Sequence, residues 1–539
     1  MSGDGFNLWE EGWIRVRMMD GSLVELSLNE AFSRASEIQT IAGEIPTQDA
    51  AMLLFMHSVL ARALNSPRTR QEGIEQWAMW WTKRQLPLDL VWAYRDRYHD
   101  QFNLFDENHP FMQARDLAST SGKTSGLLKL IADVPDGLRF FSMRQGTGVD
   151  ELEYAEAARW LIHCQAYDTA GIKTGMQGDQ RAKMGKSHPK STGLLGQMGL
   201  VLAQGATLTE TLLLNLPIDY CSRDDSACWE REAQTSGPDV RHPFPIGMAD
   251  VHTWPSRRIR LLREDGKVRD ILLSDGDSQR MPYAPDREPF TGWVSAGKDE
   301  FRPSRHSPDR AMWRGLGALL SKSASIGGGK SKLRRAAIIN WLAQLRDEEE
   351  LLDPDYRVVL RTIGMQYGTM SSKITTTIDD SISASVAVIT SDAFIGVISD
   401  AADVANQAVW TLASLAGDLS FVSGVEQSPA RSRAREQGYS ALDIPFRRWI
   451  SRLSTVTDRR VAGEAWSASV REIMLSVGKQ MCEDVAGAFP VGRDAGTQFR
   501  VQPGEPADVS LCWRSFLARL RKVVPHVKTP EMHIAQEVR

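Results

Sequence analysis

The residues best suited to binding a phosphate-bearing partner lie in one stretch, from Ala170 to Gly199. Lysine offers positive charge to a phosphate, and glycine allows a backbone to come close to a ligand. No apolar period of two or 3.6 residues persists across residues 173–192, so the sequence predicts a long loop. Such a loop is either functional or a solvated surface insertion, and both interpretations stay open. The stretch contains one acid, Asp179, seven glycines, and the basic residues Lys173, Arg181, Lys183, Lys186 and Lys190.

A second glycine-rich segment, Gly327–Ser331, resembles the end of a nucleotide-binding P-loop. That motif needs the spacing G-x-x-x-x-G-K-[ST] after a buried strand. Ala324 stands at the first glycine position, and the residues before it lack the pattern of a buried strand. Nucleotide hydrolysis is therefore kept only as the alternative function, beside the simpler interpretation of a flexible basic loop. The basic residues of that loop are Lys322, Lys330, Lys332, Arg334 and Arg335.

Residues for catalysis or metal binding do not form recognisable sets. The ten histidines show no spacing typical of metal ligands, and the five cysteines are scattered without a C-x-x-C pair. Neither a G-x-S-x-G nucleophile motif nor the motif set of a kinase is present. The pair Asp379-Asp380 has no visible partner and is interpreted as a charge pair at a helix N-terminus. The sequence therefore points to binding rather than to an enzyme, and it predicts neither a metal nor a cofactor.

The composition is typical of a multidomain globular protein. With 539 residues the chain exceeds one ordinary domain, and 42% hydrophobic with 24% charged residues is usual for such proteins. Because the net charge is −4, any contact with nucleic acid must come from local basic patches. The first residues do not resemble a signal peptide, and no uninterrupted apolar run is long enough to span a membrane. We expect a cytoplasmic protein, and the scattered cysteines agree with a reducing compartment.

The elements that would position these residues are strands and helices in mixed order. Asn7–Leu28 predicts a β-hairpin with its turn at Asp20-Gly21, and Arg257–Leu273 predicts another around Glu264-Asp265-Gly266. Three tryptophans at helical spacing, Trp77, Trp80 and Trp81, are predicted to be core residues rather than a stacking platform. Pro282–Pro308 is predicted to be irregular. Helices or apolar elements are predicted for Asp49–Leu64, Gln71–Arg84, Glu151–Cys164, Thr207–Leu216 and Lys332–Glu350.

From Ser381 to the end the pattern is almost purely helical. Four amphipathic segments follow one another with short to medium connections, which favours a four-helix bundle. The sequence thus predicts an α+β protein, with a large mixed N-terminal domain over residues 1–380 and a four-helix bundle over residues 381–539. The inward-facing residues of the four segments lie within Phe394–Leu415, Phe446–Leu453, Trp466–Val485 and Val509–Val523.

Five short segments occur in the order found in one known family. They are NLWEEGWIRVR (Asn7–Arg17), HPFMQ (His109–Gln113), the stretch Ala170–Gly199 (the Gly/Lys stretch) with Gly205–Pro217 after it, RHSP (Arg305–Pro308) and IGMQYGTMSSKI (Ile363–Ile374). On these segments and the matching domain plan, the chain resembles the CasA family. Members of that family are the large subunits of Cascade, the type I-E CRISPR surveillance complex. The resemblance covers essentially the whole chain.

The resemblance implies a non-catalytic role in DNA recognition. CasA proteins recognise the protospacer-adjacent motif of double-stranded DNA from the minor groove and help to open the duplex for pairing with the guide RNA. They also recruit the helicase-nuclease that degrades the target. The minor groove carries a degenerate code, which close backbone approach and a few donors can read. The implied partners are other Cascade subunits, the 5′ handle of the guide RNA, double-stranded target DNA and the helicase-nuclease, with no membrane.

The resemblance also assigns two DNA-contacting segments. Its glycine loop corresponds to Gly193 and Gly196, and its wedge corresponds to the tip that contains Met370. A methionine stands where family members carry amides, and an apolar side chain can still unstack a base step. Candidates for phosphate contacts in the glycine-loop stretch are Lys173, Lys183, Lys186 and Lys190. The wedge residues are Thr369, Met370, Ser371 and Ser372, with Lys373 beside them.

Two further loops follow from the resemblance. A basic finger of the family corresponds to Arg287 or Lys298, which flank Phe290, and the loop near the guide's 5′ handle corresponds to Ser142–Asp150 with Phe141 and Arg144. The cysteine cluster of some family members is missing here, so no zinc is implied. Two other hypotheses remain beside the binding subunit. One is a nucleotide-driven enzyme that uses Gly327–Ser331, and the other is a structural scaffold whose basic loops are only solvated surface.

Overall fold

The computed structural model describes residues 5–64, 67–133, 150–278, 285–297, 300–326, 331–486, 493–494 and 506–525. Contacts between Cα atoms divide the chain into two units. The first comprises Met1–Arg310 and Ser321–Ser381, and the second comprises Ala311–Leu320 and Ile382–Arg539. Strands and helices mix in the first unit, whereas long helices dominate the second, so the predicted α+β class is confirmed. Ala311–Leu320 belongs to the helical unit, although the sequence prediction placed it in the N-terminal domain.

The strands of the described residues form small, separate sheets. One sheet has the order β2-β1-β3, a second β10-β9-β12-β11 and a third β14-β13-β6, and three further sheets have two strands each. In chain order the strands are β1 Ile14–Met18, β2 Leu23–Leu26, β3 Ile38–Ile41, β4 Lys173–Thr174, β5 Lys186–Ser187, β6 Gly199–Gln204, β7 Arg257–Glu264, β8 Lys267–Asp275, β9 Trp293–Ser295, β10 Phe301–Pro303, β11 Ser323–Ile326, β12 Ser331–Arg334, β13 Arg357–Tyr367, β14 Ile374–Ser385, β15 Arg493–Asp494 and β16 Pro506–Ala507.

The helices are short in the first unit and long at the C-terminal end. They are α1 Leu28–Ser33, α2 Pro46–Ala63, α3 Arg70–Lys83, α4 Leu88–Tyr98, α5 Tyr154–Tyr167, α6 Leu208–Leu214, α7 Met248–His252, α8 Leu316–Leu320, α9 Ala337–Asp347, α10 Val386–Thr390, α11 Asp392–Ser423, α12 Gln427–Ser451, α13 Arg459–Ala486 and α14 Val509–Val523. Each predicted helix of the first unit is present with shifted ends, but Lys332–Arg334, predicted to begin a helix, belong to β12.

Turn chemistry sets the two predicted hairpins. Between β1 and β2, the carboxylate of Asp20 accepts a hydrogen bond from the Ser22 amide at 2.8 Å, and Gly21 takes a positive φ of 86°. Between β7 and β8, Asp265 and Gly266 have φ values of 51° and 74°. Two consecutive positive φ values match the right-handed twist of the flanking strands. Both predicted hairpins are confirmed, whereas β3, which joins β1 from the other side, was not predicted.

Aromatic residues fill the core of the first unit. Trp77 is fully buried, Trp80 and Trp81 are each 6% exposed, and the rings of Trp77 and Trp81 stack with centroids 5.2 Å apart. Their predicted core role is confirmed. Phe111, from the HPFMQ segment, packs on Trp229 with ring centroids 5.8 Å apart. That segment is therefore part of the hydrophobic core, where aromatic pairs contribute about 0.5–1.5 kcal/mol beyond their area burial.

The sheet β14-β13-β6 carries the segment that resembles the wedge. β13 pairs antiparallel with β6 from Val359↔Gln204 to Gly364↔Gly199, so β6, which follows the Gly/Lys stretch, lies beside the wedge hairpin. Asp379 and Asp380 lie within β14, and Asp379 binds Arg361 at 2.7 Å. The interpretation of this acidic pair as a helix N-terminal pair is therefore wrong. Asp379 instead neutralises an arginine on the neighbouring strand.

The second unit is a bundle of α11, α12, α13 and α14. Helix α11 packs against each of the other three. Its centre is fully buried, with Leu412 and Leu415 at 0% exposure, and the Trp466 indole donates to the Ala401 carbonyl at 2.8 Å. Trp313, from the short segment before α8, is fully buried here and stacks on Phe446 with centroids 4.9 Å apart. The predicted helical bundle is confirmed, with one more segment than expected.

We predict that the isolated fragment 381–539 has a low free energy of unfolding, because it lacks Ala311–Leu320. Removing a buried tryptophan costs about 3–5 kcal/mol, which corresponds to roughly 6–20 °C in melting temperature for a domain of this size. A fragment with residues 311–320 fused ahead of 381–539 through a flexible linker should melt cooperatively by circular dichroism. The same fusion with Trp313→Ala should melt lower by that amount. Equal melting temperatures, or a disordered fusion, would refute the assignment of this segment.

Candidate nucleic-acid interface

A buried ionic network anchors the Gly/Lys stretch at its start and at Ser191. Asp168, directly after α5, binds Lys173 Nζ at 2.9 Å and Arg257 Nε at 2.5 Å. The fully buried Arg257 also donates through Nη2 to the carbonyls of Thr169 at 2.8 Å and Ser191 at 2.9 Å. One guanidinium on β7 therefore binds both the residue directly before the stretch and Ser191 within it.

Asp168 remains charged in this network. Burial alone would raise the pKa of its carboxyl group, but the charges and hydrogen bonds of Lys173 and Arg257 outweigh burial and hold the pKa below its usual value. The carboxylate is thus fixed as the centre of the anchor. Loss of either cation would leave an under-compensated buried charge, which is strongly destabilising.

Within the stretch, a tight hairpin presents two lysines. β4 and β5 pair, and beyond them the amides of Lys183 and Lys186 donate to each other's carbonyls at 2.8 and 3.0 Å. Met184 and Gly185 form the turn with φ of 50° and 74°, and the Met184 side chain is 99% exposed. Lys183, Lys186 and Lys190 are exposed as well. Arg181 is engaged in the protein, because it binds both Asp179 and Asp275.

Three predicted residues of this stretch face the protein's own interior. Lys173 is 8% exposed and its ammonium group belongs to Asp168, so in this structure it offers no charge to a phosphate. A Cβ atom at Gly193 would lie 2.4 Å from the Ala166 carbonyl oxygen, and one at Gly196 would lie 2.1 Å from the Tyr367 hydroxyl. Because Gly193 and Gly196 have no side chain, Ala166 and Tyr367 can pack close to their backbones. In this structure all three residues pack against other parts of the chain, and their contact with DNA stays a prediction.

The wedge segment is an exposed turn between β13 and β14. The Gly368 amide donates to the Lys373 carbonyl at 2.9 Å, which closes the loop, and Thr369, Met370, Ser372 and Lys373 are exposed. Met370 is 88% exposed and has a φ of 56°, and Ser371 has a φ of 52°. Positive φ is uncommon outside glycine, and such strain concentrates at functional sites. The turn therefore projects an apolar side chain into solvent from a defined backbone.

Direct contacts join the wedge turn to the base of the Gly/Lys stretch. The Ala170 amide donates to the Ser371 carbonyl at 2.8 Å, and the Tyr367 hydroxyl donates to the Tyr167 carbonyl at 2.6 Å. Tyr367 also occupies the space left by Gly196. Two segments about 200 residues apart in sequence thus form one surface, on which the exposed Met370 and Lys373 lie beside the start of the lysine-bearing stretch.

Arg305 and His306 extend this surface and were not among the predicted site residues. The exposed Arg305 donates from Nε to the Gln197 carbonyl at 3.1 Å, and His306 Nε2 bonds the Leu200 carbonyl at 2.9 Å. Burial lowers the pKa of His306, which favours the neutral ring. The RHSP segment was recognised by resemblance, but only the fold shows that it lies against the end of the Gly/Lys stretch.

The remaining predicted residues divide into described and undescribed ones. Arg287 donates to the Pro245 carbonyl at 2.8 Å and lies over the Phe244 ring at 5.6 Å, whereas Phe290 is fully buried. Lys298, Phe141 and Arg144 lie outside the described residues. Arg287 is thus partly held by its own neighbours, and nothing in the described contacts links it to the Gly/Lys stretch.

The nucleotide-binding alternative does not fit the local fold. β11 and β12 pair antiparallel from Ser323↔Arg334 to Ile326↔Ser331. The glycine-rich residues therefore connect two strands of one hairpin, and residues 327–330 themselves lie outside the described part. A P-loop instead leads from a strand into a helix, whose N-terminus binds the phosphates. The strands on either side of these residues therefore give no support to the alternative of nucleotide hydrolysis at Gly327–Ser331.

Comparison with known proteins gives a family match over most of the chain. Residues 7–477 match the family described as "CRISPR-associated protein Cse1 (CRISPR_cse1)". The chain belongs to the Cse1 family. A Thermus thermophilus relative, "CRISPR-associated protein CasA/Cse1", is 30% identical over 365 residues, which cover 67% of each chain. The Cse1 family is thus the CasA family, and the resemblance found in the sequence is confirmed.

Solved structures of Cse1 proteins share the whole fold. The crystal structure of Thermobifida fusca Cse1 has a TM-score of 0.87 and 34% identity, covering 97% of this chain and 98% of that one. A chain of a structure described as "CRISPR RNA-guided surveillance complex" has a TM-score of 0.70 and 18% identity, covering 96% and 99%. The second likeness is one of fold. Both comparisons extend through the helical unit as well as the mixed unit.

Two further findings concern the described residues. No three His, Cys, Asp or Glu side chains in the described ranges come together in a way that could hold a metal ion. Among the helices of those same ranges, none is long and apolar enough to reach across a lipid bilayer.

Proposed function

We propose that this Cse1 protein is the DNA-recognition subunit of an RNA-guided surveillance complex and has no catalytic role of its own. It recognises a short motif in double-stranded DNA and helps to open the duplex beside that motif, so that the guide RNA can pair. Other subunits of the complex, the guide RNA and the target duplex are its partners. The opened complex then recruits a helicase-nuclease.

One observation supports the proposal most strongly. The exposed turn at Met370 is hydrogen-bonded through Ser371 to Ala170, at the base of the stretch that presents Lys183, Lys186 and Lys190. A duplex lying across the lysines would therefore bring a groove close to an apolar side chain. Proteins that kink DNA combine phosphate contacts with an apolar wedge between base steps.

The lysines, Arg305 and Met370 have separate roles in this proposal, which follow from their chemistry. The lysines bind phosphates without regard to sequence, because phosphate oxygens are the same at every step. The exposed Arg305 would face the groove, and Met370 is suited to unstacking a step rather than to reading it. Guide pairing then supplies the sequence specificity, since the RNA–DNA hybrid is about as stable as the duplex that it replaces.

Two partner contacts are carried over from the family resemblance. Phe141 and Arg144 would lie near the 5′ handle of the guide RNA, because an aromatic ring and a guanidinium can stack on and bind single-stranded RNA. Lys298 and Arg287 would supply the basic finger. Of these two candidates, Arg287 is partly held by Pro245 and Phe244.

The deciding experiment measures binding of the assembled complex to a panel of duplexes that differ only in the motif base pairs. We expect affinity to vary with the motif and to be lost when this subunit is omitted. Equal affinity for every duplex, or full motif discrimination without the subunit, would instead favour a structural scaffold.

We predict that Lys183→Ala, Lys186→Ala and Lys190→Ala together weaken DNA capture by the complex. Each lost phosphate contact should lower the slope of log K against log salt by about 0.9. A matched variant, with Lys83, Lys479 and Lys522 changed to Ala, removes the same number of exposed lysines elsewhere and should leave the slope unchanged. If both triple variants behave like the parent, the stretch is a solvated insertion.

A further inference from the structure

An exposed tryptophan lies on the surface of the helical unit, between α11 and α12. Trp410 is 56% exposed, and it is the one tryptophan among the largely exposed apolar side chains of the described residues. The guanidinium carbon of Arg435 lies 4.8 Å from the centroid of the Trp410 ring. Tryptophan is usually highly buried, so an exposed indole held by a cation is a feature of interaction surfaces.

A second arginine of α12, Arg431, also packs against α11. A Cβ atom at Gly417 would lie 2.3 Å from Arg431 Nε, so the absence of a side chain there lets the guanidinium cross over α11. Arg431 and Arg435 are one turn apart on α12, about 6 Å along its axis. Trp410 and Gly417 are seven residues apart on α11 and so lie on nearly the same face. The indole and the two guanidinium groups therefore follow one seam.

The charge of this row is not neutralised by carboxylates. Arg431 donates to the Gln427 side chain at 2.9 Å and Arg435 to the Ser432 hydroxyl at 3.0 Å. Within the described residues neither forms an ion pair, nor does the exposed Arg433. A different tryptophan–arginine pair in the first unit offers a contrast. Arg95 lies over Trp92 at 5.1 Å but also binds Asp96 at 2.8 Å.

We propose that Trp410, Arg431 and Arg435 form a binding site for single-stranded nucleic acid. A base stacks on the part of the indole that Arg435 leaves open, and the flanking phosphates bind the two guanidinium groups. Stacking on an aromatic ring within a positive track is how proteins hold single strands without regard to sequence. A duplex would not fit this chemistry, because its base faces are already stacked. That the bound strand is the one displaced from an opened duplex rests on the function proposed above.

The site is tested first with the full chain and a fluorescein-labelled oligothymidylate, by fluorescence anisotropy. Trp410→Ala should weaken binding about five-fold or more. Trp410→Phe should restore most of the affinity, whereas Trp410→Leu, which keeps apolar area but not a π face, should not. Arg431→Gln with Arg435→Gln should lower the salt slope by about 0.7 for each lost contact. The control Trp92→Ala removes the neutralised pair and should leave binding unchanged.

Two outcomes overturn the proposal. One is unchanged oligothymidylate binding by Trp410→Ala, and the other is equal rescue by Leu and Phe, which would indicate an apolar contact with a protein. In the assembled complex, Trp410→Ala should raise the permanganate reactivity of displaced-strand thymines and leave motif binding intact. A parent complex that fails to discriminate motifs would refute the proposed function, whatever the oligothymidylate result, so the two failures are distinguishable.

Discussion

Shortening the turn Thr369–Ser372 to Gly-Gly should leave motif binding largely intact and block opening of the duplex. Unstacking a base step costs a few kcal/mol, and each 1.4 kcal/mol of lost stabilisation slows a step about ten-fold. If the wedge stabilises the unstacked step by about 2 kcal/mol, the shortened variant should open DNA roughly thirty-fold more slowly. Permanganate reactivity of the target strands in the assembled complex measures this rate.

A pre-melted bubble beside the motif should restore guide pairing to the shortened variant, because the unstacking has already been done. A finer variant separates the side chain from the backbone. Met370→Gly removes the wedge side chain and keeps a residue that adopts positive φ without strain. Met184→Gly is its matched control, since Met184 is also highly exposed and has a positive φ. If the shortened variant fails equally on intact and bubbled DNA, the turn is a general binding or folding element.

Arg257→Ala should lower the free energy of unfolding of the full chain by about 3–5 kcal/mol, because it breaks a buried ion pair and leaves Asp168 under-compensated. The substitution also removes hydrogen bonds to Thr169 and Ser191. Urea unfolding followed by circular dichroism measures the loss. Arg34→Ala, which breaks an exposed pair with Glu37, is the control and should cost less than about 1 kcal/mol.

The pH dependence of this loss has a definite sign. The pKa of Asp168 is lowered in the folded chain, so its pairing stabilises the fold above the unfolded pKa and ceases to do so as pH falls through the folded pKa. Without Arg257 the folded pKa rises, and stability should decline at a higher pH than in the parent. Affinity for DNA should fall as the stretch loosens, while the salt slope stays, because the exposed lysines remain. A stable variant with unchanged DNA affinity would mean that Arg257 anchors nothing.

Local chemistry made much of the fold predictable. A few neighbouring residues were enough to predict the turns at Asp20-Gly21 and Asp265-Gly266 and the helix that carries Trp77 and Trp81. The structure confirms these predictions. Where the same local pattern suits two folds, the sequence left both interpretations open. A glycine-rich segment suits both a P-loop and a hairpin end, and only the antiparallel pairing of β11 with β12 decides between them.

The candidate site was harder to predict because its contacts join distant parts of the chain. Lys173 and Lys183 have similar sequence surroundings, yet the ammonium group of Lys173 is paired with Asp168. Arg257, far along the chain, binds the same carboxylate. Gly196 seems free to approach a ligand until Tyr367 fills the space beside it. Asp379 was misassigned because β14 has no clear apolar alternation that would mark it as a strand.

The segment around Trp313 has a consequence for biosynthesis. On the ribosome, Trp313 is made about 130 residues before Phe446, the ring on which it finally stacks. At about 5–20 residues per second this indole waits roughly 7–27 seconds without its partner. During that time Ser321–Ser381 must emerge and join the earlier unit. The helical unit therefore begins before the mixed unit is complete, and the nascent chain carries Trp313 without its ring partner until α12 has been synthesised.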